Sequence, residues 1–582
     1  MIKQFYPYFK KELNTALFGI LFTATVVIIE LSQPRLMSTI VDTYIPSKNT
    51  SMIIQTGIIM AILAVFGVII GLVSVLCATK ASNGFAYNLR QALINKVQSF
   101  SDQEMHQLGV SSLITRATND INFVQSTTLQ SLRMLVRAPV MLVSAVVMAY
   151  FTNKRLSLLI FVAETVLSIL LYILLKKAYP LFVSMQKAID KVNKTLQEGL
   201  INIRVIKSFV RESYEEKRFE VSNETLMHAS QKANRLIALL NPTMMLVLFS
   251  STLGLMAYGS RLIIIDQNLS VGQLLVFINY MIFTMNSMMM LSMTLTMFSR
   301  SKASFVRLAE VFNTEASIDD KSSNPANIIH LGQIEFEHVT FRYNKQSPIA
   351  DLDDLSFTIQ SGQKTGIIGS TGSGKTTLIK LLTRLLEPDS GTIKIDGIDL
   401  NKYTLNQVRS VMGVVPQKNV LFSGTILDNL RYGNPSLSED KAWELLAHSN
   451  IDAFIKKQDQ QLNMQVYQGG VNFSGGQKQR LCIARALAIN PKILILDDST
   501  SALDGATEQT IKHTLNHYYS DLTLLMIAQK ISSVASMDKI IVLDNGKIVG
   551  MGNHQSLSKD NLVYQEIIAS QSGKGDFDGS GD

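Results

Sequence analysis

Long apolar runs dominate the chain as far as Ser299, and mixed polar and apolar sequence takes over after Gly332. Six of the runs reach the roughly 20 residues that a helix needs to cross a bilayer. They are Leu17–Val41, Ile53–Thr79, Met134–Phe151, Leu156–Leu175, Met244–Ile265 and Leu274–Phe298. Short links at Ile45–Ser51, Thr152–Arg155 and Asp266–Val271 alternate with two long polar ones, around Lys80–Arg133 and Lys176–Leu240. The long links carry Lys80, Arg90, Lys96 and Arg116, then Lys176, Lys177, Lys187, Arg204, Lys207, Arg211, Lys217 and Arg218. Basic loops are retained on the cytoplasmic side, so both long links and both termini are expected there. Helical patterning within the links predicts that the membrane helices continue into the cytosol. The basic start (Lys3, Lys10, Lys11) resembles a signal peptide, but the apolar run behind it is long and lacks a small-residue cleavage site, which predicts a retained anchor.

The second half reads differently. Ile334–Phe341, Phe357–Ile359 and Lys364–Gly369 are short strand-like segments, and the last runs into a glycine-rich turn and then a helix. The expected divisions are a membrane domain with cytoplasmic extensions over 1–312, a linker over 313–331, a globular domain over 332–570 and a disordered Gly/Asp-rich tail over 571–582. At 47% hydrophobic and 17% charged residues, the composition is too apolar for a soluble chain of 582 residues. The net charge of +8 is concentrated beside apolar spans, which argues for membrane topology and against nucleic acid as a partner. Cys77 and Cys482 have no spaced partners, which excludes a disulfide framework.

Gly369-Ser370-Thr371-Gly372-Ser373-Gly374-Lys375-Thr376, with Thr377 following, fits the phosphate-binding P-loop. Its glycines let backbone N–H groups turn towards phosphate oxygens, and the next helix presents its positive end. Lys375 is placed to reach the β- and γ-phosphates, and the Thr376 hydroxyl to ligate Mg²⁺. The apolar strand Ile493–Asp497 ends in an acid suited to the same cation. The expected cofactors are therefore ATP and Mg²⁺.

Between these motifs lies Asn472-Phe473-Ser474-Gly475-Gly476-Gln477, and here the chain resembles the ATP-binding cassette (ABC) transporter family over nearly its whole length. The resemblance implies an all-α membrane domain of six helices (the type I exporter fold) fused to an α/β P-loop NTPase domain. It implies that Ser474, Gly475, Gly476 and Gln477 form the signature that closes on ATP held by the other subunit, with Phe473 where leucine is common. It further implies that Tyr343 stacks on adenine, that Gln417 senses Mg²⁺ and that Ser501–Asp504 crosses the dimer interface. Gly109–Asp120 and Asn202–Phe219 are similar to the cytoplasmic segments that transmit movement in exporters. The fusion of both domains favours export from the cell membrane, with a cytoplasmic ATPase domain; a bacterial plasma membrane is the expected setting.

Two positions depart from the family pattern. The catalytic glutamate is replaced by Asp498, and the switch histidine by Gln529. Gln468 also stands where exporters usually carry glutamate. With an intact signature, this combination predicts a heterodimer whose partner half-transporter carries the consensus Glu and His, while the site on this chain hydrolyses slowly. Met281, Met285, Met289, Met293 and Met297 recur every fourth residue in the last span, with Met288, Met290, Met244, Met245 and Met256 nearby. They suggest either packing surface or a pliable lining for hydrophobic small molecules, multidrug substrates among them. Glu30 and Glu164 lie inside apolar spans and are expected either to face a cavity that takes cationic substrates or to pair with a base such as Arg35 or a group on the partner chain. Alternative readings are a lipid, peptide or metabolite exporter, or a non-hydrolysing ATP sensor.

Overall fold

The computed structural model describes residues 2–498 and 503–572. The expected tail therefore lies almost wholly outside the described residues, as do Ser501 and Ala502 of the interface loop. The chain divides into two compact units, 1–98 with 109–314, and 99–108 with 315–582.

The first unit is helical. Among the described residues, six helices are long and apolar enough to cross a membrane: Leu13–Tyr44, Thr50–Gln98, Val110–Thr152, Lys154–Ile201, Glu212–Ile264 and Val271–Ser292. Most far exceed one bilayer. The 49 residues of Thr50–Gln98 rise about 1.5 Å each, for a length of about 70 Å, against about 30 Å of hydrocarbon. Helix boundaries follow local chemistry. Asn153 opens the fourth helix by accepting hydrogen bonds from the N–H groups of Arg155 and Leu156 (3.0 and 3.3 Å). Ser270 and Gln273 form a reciprocal capping box at the start of the last helix. The Asp42 carboxylate ties that start to the end of the first span, accepting from Ser38 Oγ (2.8 Å), Ser270 Oγ (2.6 Å) and the Gly272 N–H (2.7 Å).

Val27, Leu31, Met141, Leu156, Leu167, Leu255, Phe277, Tyr280, Met281 and Met285 form the interior of this bundle. Ile62, Val65, Val68 and Leu72 of the second span are exposed, as side chains facing lipid should be. Further along, Asp120 is buried and pins the last helix to the third, accepting from Ser304 Oγ and Arg307 Nε at 2.8 Å each. Arg116, one turn away, bridges Glu310 at 2.7 Å. Thus Arg116 and Asp120, which the sequence assigns to a movement-transmitting segment, fasten one long helix to another. The second such segment exposes Ile203, Val205, Phe209 and Val210.

Glu30 pairs with Arg137 of the third span, whose Nη2 lies 2.8 Å from both carboxylate oxygens, and not with Arg35. Glu164 is buried beside Thr284 of the last span.

The second unit is built on a six-stranded sheet. In spatial order its strands are Lys547–Gly552, Lys539–Asp544, Lys364–Gly369, Thr523–Ile527, Ile493–Asp497 and Met412–Val415. The first pair is antiparallel and the rest are parallel. The parallel strands are continuous apolar runs, as strands buried on both faces require. A four-stranded antiparallel sheet, formed by Ile334–Phe341, Leu352–Ile359, Ser390–Ile395 and Ile398–Asp399, packs its apolar face on Leu378, Leu381 and Leu382 of the helix that follows the P-loop.

Candidate functional site: a nucleotide pocket at the strand ends

The strand order brings the distant motifs together. Thr523–Ile527, which leads to Gln529, lies between the P-loop strand and the strand ending in Asp497. Ile527 pairs with Ile367 on one side and with Asp497 on the other. Three C-terminal strand ends thus converge, which is where open α/β sheets bind ligands. A pocket of about 320 Å³ lies there, lined by Tyr343, Asp351, Thr371, Gly372, Gly374, Lys375, Thr376, Thr377, Gln417, Asp497, Asp498, Ile527 and Gln529. Ser373 is buried beneath the loop, and Gly369 and Ser370 form its first corner.

The loop needs its glycines. Gly372 and Gly374 have φ of 86° and 98°, a region that side chains with a Cβ avoid. Gly374 then opens the helix Lys375–Leu382, whose first N–H groups lack partners within the helix and point at the pocket. Lys375 Nζ donates to the carbonyls of Gly369 (2.8 Å) and Ser370 (2.6 Å) and to Ser373 Oγ (3.2 Å), so the ammonium sits inside the curl of the loop. Burial pulls its pKa below the ordinary lysine value, against the opposing pull of Asp497 and Asp498. Across the pocket, Thr376 Oγ1 faces Asp497 Oδ2 at 3.5 Å. Burial, with the neighbouring Asp498 charge, pushes the Asp497 carboxyl upward. Asp498 is also raised by burial, an effect that Gln417 and Lys375 oppose.

The two positions that depart from the family pattern touch each other. Gln529 Nε2 donates to Asp498 Oδ2 at 2.9 Å. Asp498 also continues the ladder, its N–H donating to the Ile527 carbonyl at 2.9 Å.

Tyr343 projects a half-exposed ring into the pocket. Its N–H donates to Asp351 Oδ2 at 2.8 Å, and Phe341 packs against its ring at 5.0 Å, edge to face. The sequence reading missed Asp351, for no motif marks it.

The signature does not line this pocket. Ser474 is exposed and caps the helix Gly475–Ala488 through a reciprocal capping box with Gln477. Phe473 is buried in the core beneath and packs edge to face on Phe454 at 6.3 Å. Phe473 therefore anchors the loop from below.

Comparison with known proteins agrees with this layout. The family profile of the ABC transporter transmembrane region matches residues 16–288, and the ABC transporter profile matches 352–501. An uncharacterized ABC transporter ATP-binding protein of Mycobacterium tuberculosis is 36% identical over 547 residues, covering 93% of both chains. The chain belongs to the ABC transporter family. Bacillus subtilis YfiB, also an uncharacterized ABC transporter ATP-binding protein, is 36% identical over 556 residues, covering 96% of both chains. Among solved structures, a bacterial Atm1-family ABC exporter with ATP bound shares the fold at a TM-score of 0.80, with 24% identity over 97% of this chain and 98% of that one. The chain is thus a multi-pass membrane protein with a cytoplasmic ATP-binding ATPase domain that powers transport, on the fold expected from its sequence.

Proposed function

We propose that this chain is one subunit of a heterodimeric exporter of hydrophobic small molecules, and that it holds one ATP in a slowly hydrolysing site while lending its signature to a faster site on its partner. The Asp498–Gln529 hydrogen bond carries this reading. In phosphoryl transfer most catalysis is positioning, so a base one methylene short, about 1.5 Å, acts from the wrong place. The Gln529 amide also engages an oxygen that would otherwise accept from the attacking water. Glutamine neither titrates nor carries charge, so it does not replace a histidine at the γ-phosphate.

Binding, by contrast, is fully equipped. Among the described residues no group of three or more His, Cys, Asp or Glu could hold a metal unaided. The donor set suits a Mg²⁺ shared with phosphate oxygens, in which Thr376, Asp497 and Gln417 supply the protein ligands. Such an ion would neutralise charge on the phosphates. Ser474–Gln477, pre-capped and with Ser474 and Gly475 exposed, suits closure on a nucleotide held by another chain.

For the cargo, a cavity of about 540 Å³ in the helical unit supports hydrophobic substrates. Phe123, Leu171, Phe182, Leu236, Met244, Met289 and Met297 line it, with Asn241 and Ser292 as polar members and, among the described residues, no charged side chain. The Glu30 carboxylate is neutralised by Arg137, which favours uncharged over cationic cargo. The test is co-expression with candidate half-transporters that carry Glu and His at the positions equivalent to Asp498 and Gln529. Co-purification and ATP-dependent uptake of an apolar dye into inverted vesicles, with neither chain active by itself, is the expected result. Full uptake by this chain alone refutes the reading.

A further inference from the structure

One short stretch of the chain between the second and third membrane-spanning helices belongs to the ATPase unit. Residues 99–108 cluster with 315–582. Ser101 and Glu104 hold the stretch in shape: the Ser101 N–H and Oγ donate to Glu104 Oε2 at 2.7 and 2.6 Å, and Ser101 Oγ lies 2.9 Å from Ser317 Oγ. Burial disfavours the Glu104 charge, but hydrogen bonds from Ser101 and Ser317 outweigh it and hold the carboxyl below its ordinary range.

The next residue after Ser101 reaches the helix that follows the P-loop. Asp102 Oδ2 lies 2.7 Å from Lys380 Nζ, and both side chains are about three-quarters buried, at 27% and 25% exposure. Lys380 is one turn beyond Thr376 and Thr377 on the P-loop helix. Its ammonium also sits 5.9 Å from the centre of the Tyr343 ring, within cation–π range. Thr377 Oγ1 approaches the Tyr343 hydroxyl at 3.5 Å. Burial works against the Lys380 charge, yet Asp102 and the Tyr343 phenol hold its pKa above the usual lysine value.

We infer that Asp102 is a positioning residue for the nucleotide base: through Lys380 it fixes the Tyr343 ring, and so ties base binding to the segment between two membrane helices. The inference rests on the reading of Tyr343 as the ring on which the base stacks. A lysine held at one end by Asp102 loses less freedom when it engages the ring, and an anchored ring loses less when the base arrives. Coupling of this kind is reciprocal. If Asp102 strengthens nucleotide binding by some factor, bound nucleotide strengthens the hold on 99–108 by the same factor. Contacts to the base, as distinct from the phosphates, then act on the membrane helices through the continuous chain.

The test uses the purified full-length chain in lipid nanodiscs, with Mg-ATP and Mg-tripolyphosphate as ligands, the second being the phosphate chain without a base. Asp102→Asn and Lys380→Met are expected to weaken ATP binding about threefold to tenfold, the range of a partly buried ion pair joined to a cation–π contact. Tripolyphosphate affinity should stay within about twofold, and Asp102→Glu should retain most of the ATP affinity. Because Asp102 acts through the ring, Asp102→Asn combined with Tyr343→Ala should lose no more than Tyr343→Ala alone. In hydrogen exchange, ATP should slow the amides of 99–108 in the wild type and not in Lys380→Met. Equal weakening of both ligands by Asp102→Asn, or none, overturns the inference while Tyr343→Ala still weakens ATP. If Tyr343→Ala itself leaves ATP binding unchanged, the base-stacking reading fails first.

Discussion

Asp498 and Gln529 should be fully repairable only as a pair. Lengthening residue 498 by one methylene advances its carboxylate about 1.5 Å. The Gln529 amide nitrogen stands 2.9 Å from that carboxylate, so Asp498→Glu alone drives the two groups together unless one rotates away. The single substitution therefore loses the existing hydrogen bond, roughly 1 kcal/mol net, and places its carboxylate poorly. Gln529→His alone restores a group that can carry charge but leaves the base short. Together they can reach geometry worth on the order of 10²-fold in the chemical step, or about 2.7 kcal/mol. We expect about tenfold from Asp498→Glu, at most about threefold from Gln529→His, and about a hundredfold from the double variant. The excess over additivity is the signature of side chains in contact. Single-turnover hydrolysis of radiolabelled ATP, with enzyme in excess, reads the chemical step directly. A wild-type chain that alone hydrolyses ATP as fast as the double variant, with full vanadate sensitivity, refutes the reasoning. So does a simple product of the two single effects.

Two packing predictions are independent of catalysis. Phe473→Ala should destabilise the ATPase domain by about 3–5 kcal/mol, whereas Phe473→Leu should cost under about 1.5 kcal/mol; Trp443, the only tryptophan and packed on the same core, reports the transition by fluorescence, and an unshifted denaturation midpoint for the alanine variant counts against the anchoring role. Gly272→Ala would set a Cβ 2.7 Å from Asp42 Cγ and 2.8 Å from Oδ1, displacing a carboxylate that receives three hydrogen bonds. It should cost about 1–3 kcal/mol, seen as a lowered melting temperature in detergent, and an unchanged one shows that Asp42 moves aside freely.

The motifs were legible in sequence because each serves a local need. The glycines of 369–374 allow backbone conformations closed to other residues, and Ile493–Leu496 must be apolar to lie between two strands. Side chains that meet only through tertiary structure were not legible. Residues 30 and 35 are five apart on a helix and point about 140° away from each other, so Arg35 cannot face Glu30 directly, and Arg137 of another helix does. The methionine repeat misled in a similar way. Four residues turn a helix 400°, so each step drifts about 40° and the row from 281 to 297 winds about 160° around it. Met281 and Met285 are accordingly buried in the bundle, while Met289 and Met297 line the cavity; the Met293 side chain lies outside the described residues. Packing and lining, posed as rivals for one stripe, belong to different ends of it. Asp102 and Lys380 are separated by 278 positions and share no motif, so their contact has no one-dimensional trace.

On the proposed reading, the departures at Asp498 and Gln529 fall on residues that would activate water, while the P-loop, Asp497, Gln417 and Tyr343 keep the pattern that would hold the nucleotide. P-loop, Asp497, Gln417 and Tyr343 all converge on one pocket, and beside it Lys380 of the P-loop helix pairs with Asp102, on a segment joined to the membrane helices. A site that binds well and reacts slowly retains its ligand through many turnovers of a faster neighbour. Under that condition a link from base to membrane helix has a use that it lacks in a site emptied at every cycle: it holds one side of the transporter in its nucleotide-bound arrangement while the other side opens and closes. On this reading, weak hydrolysis and the Asp102 brace are two parts of one arrangement. Loosening the brace should therefore raise nucleotide release from this chain more than it lowers hydrolysis by the pair.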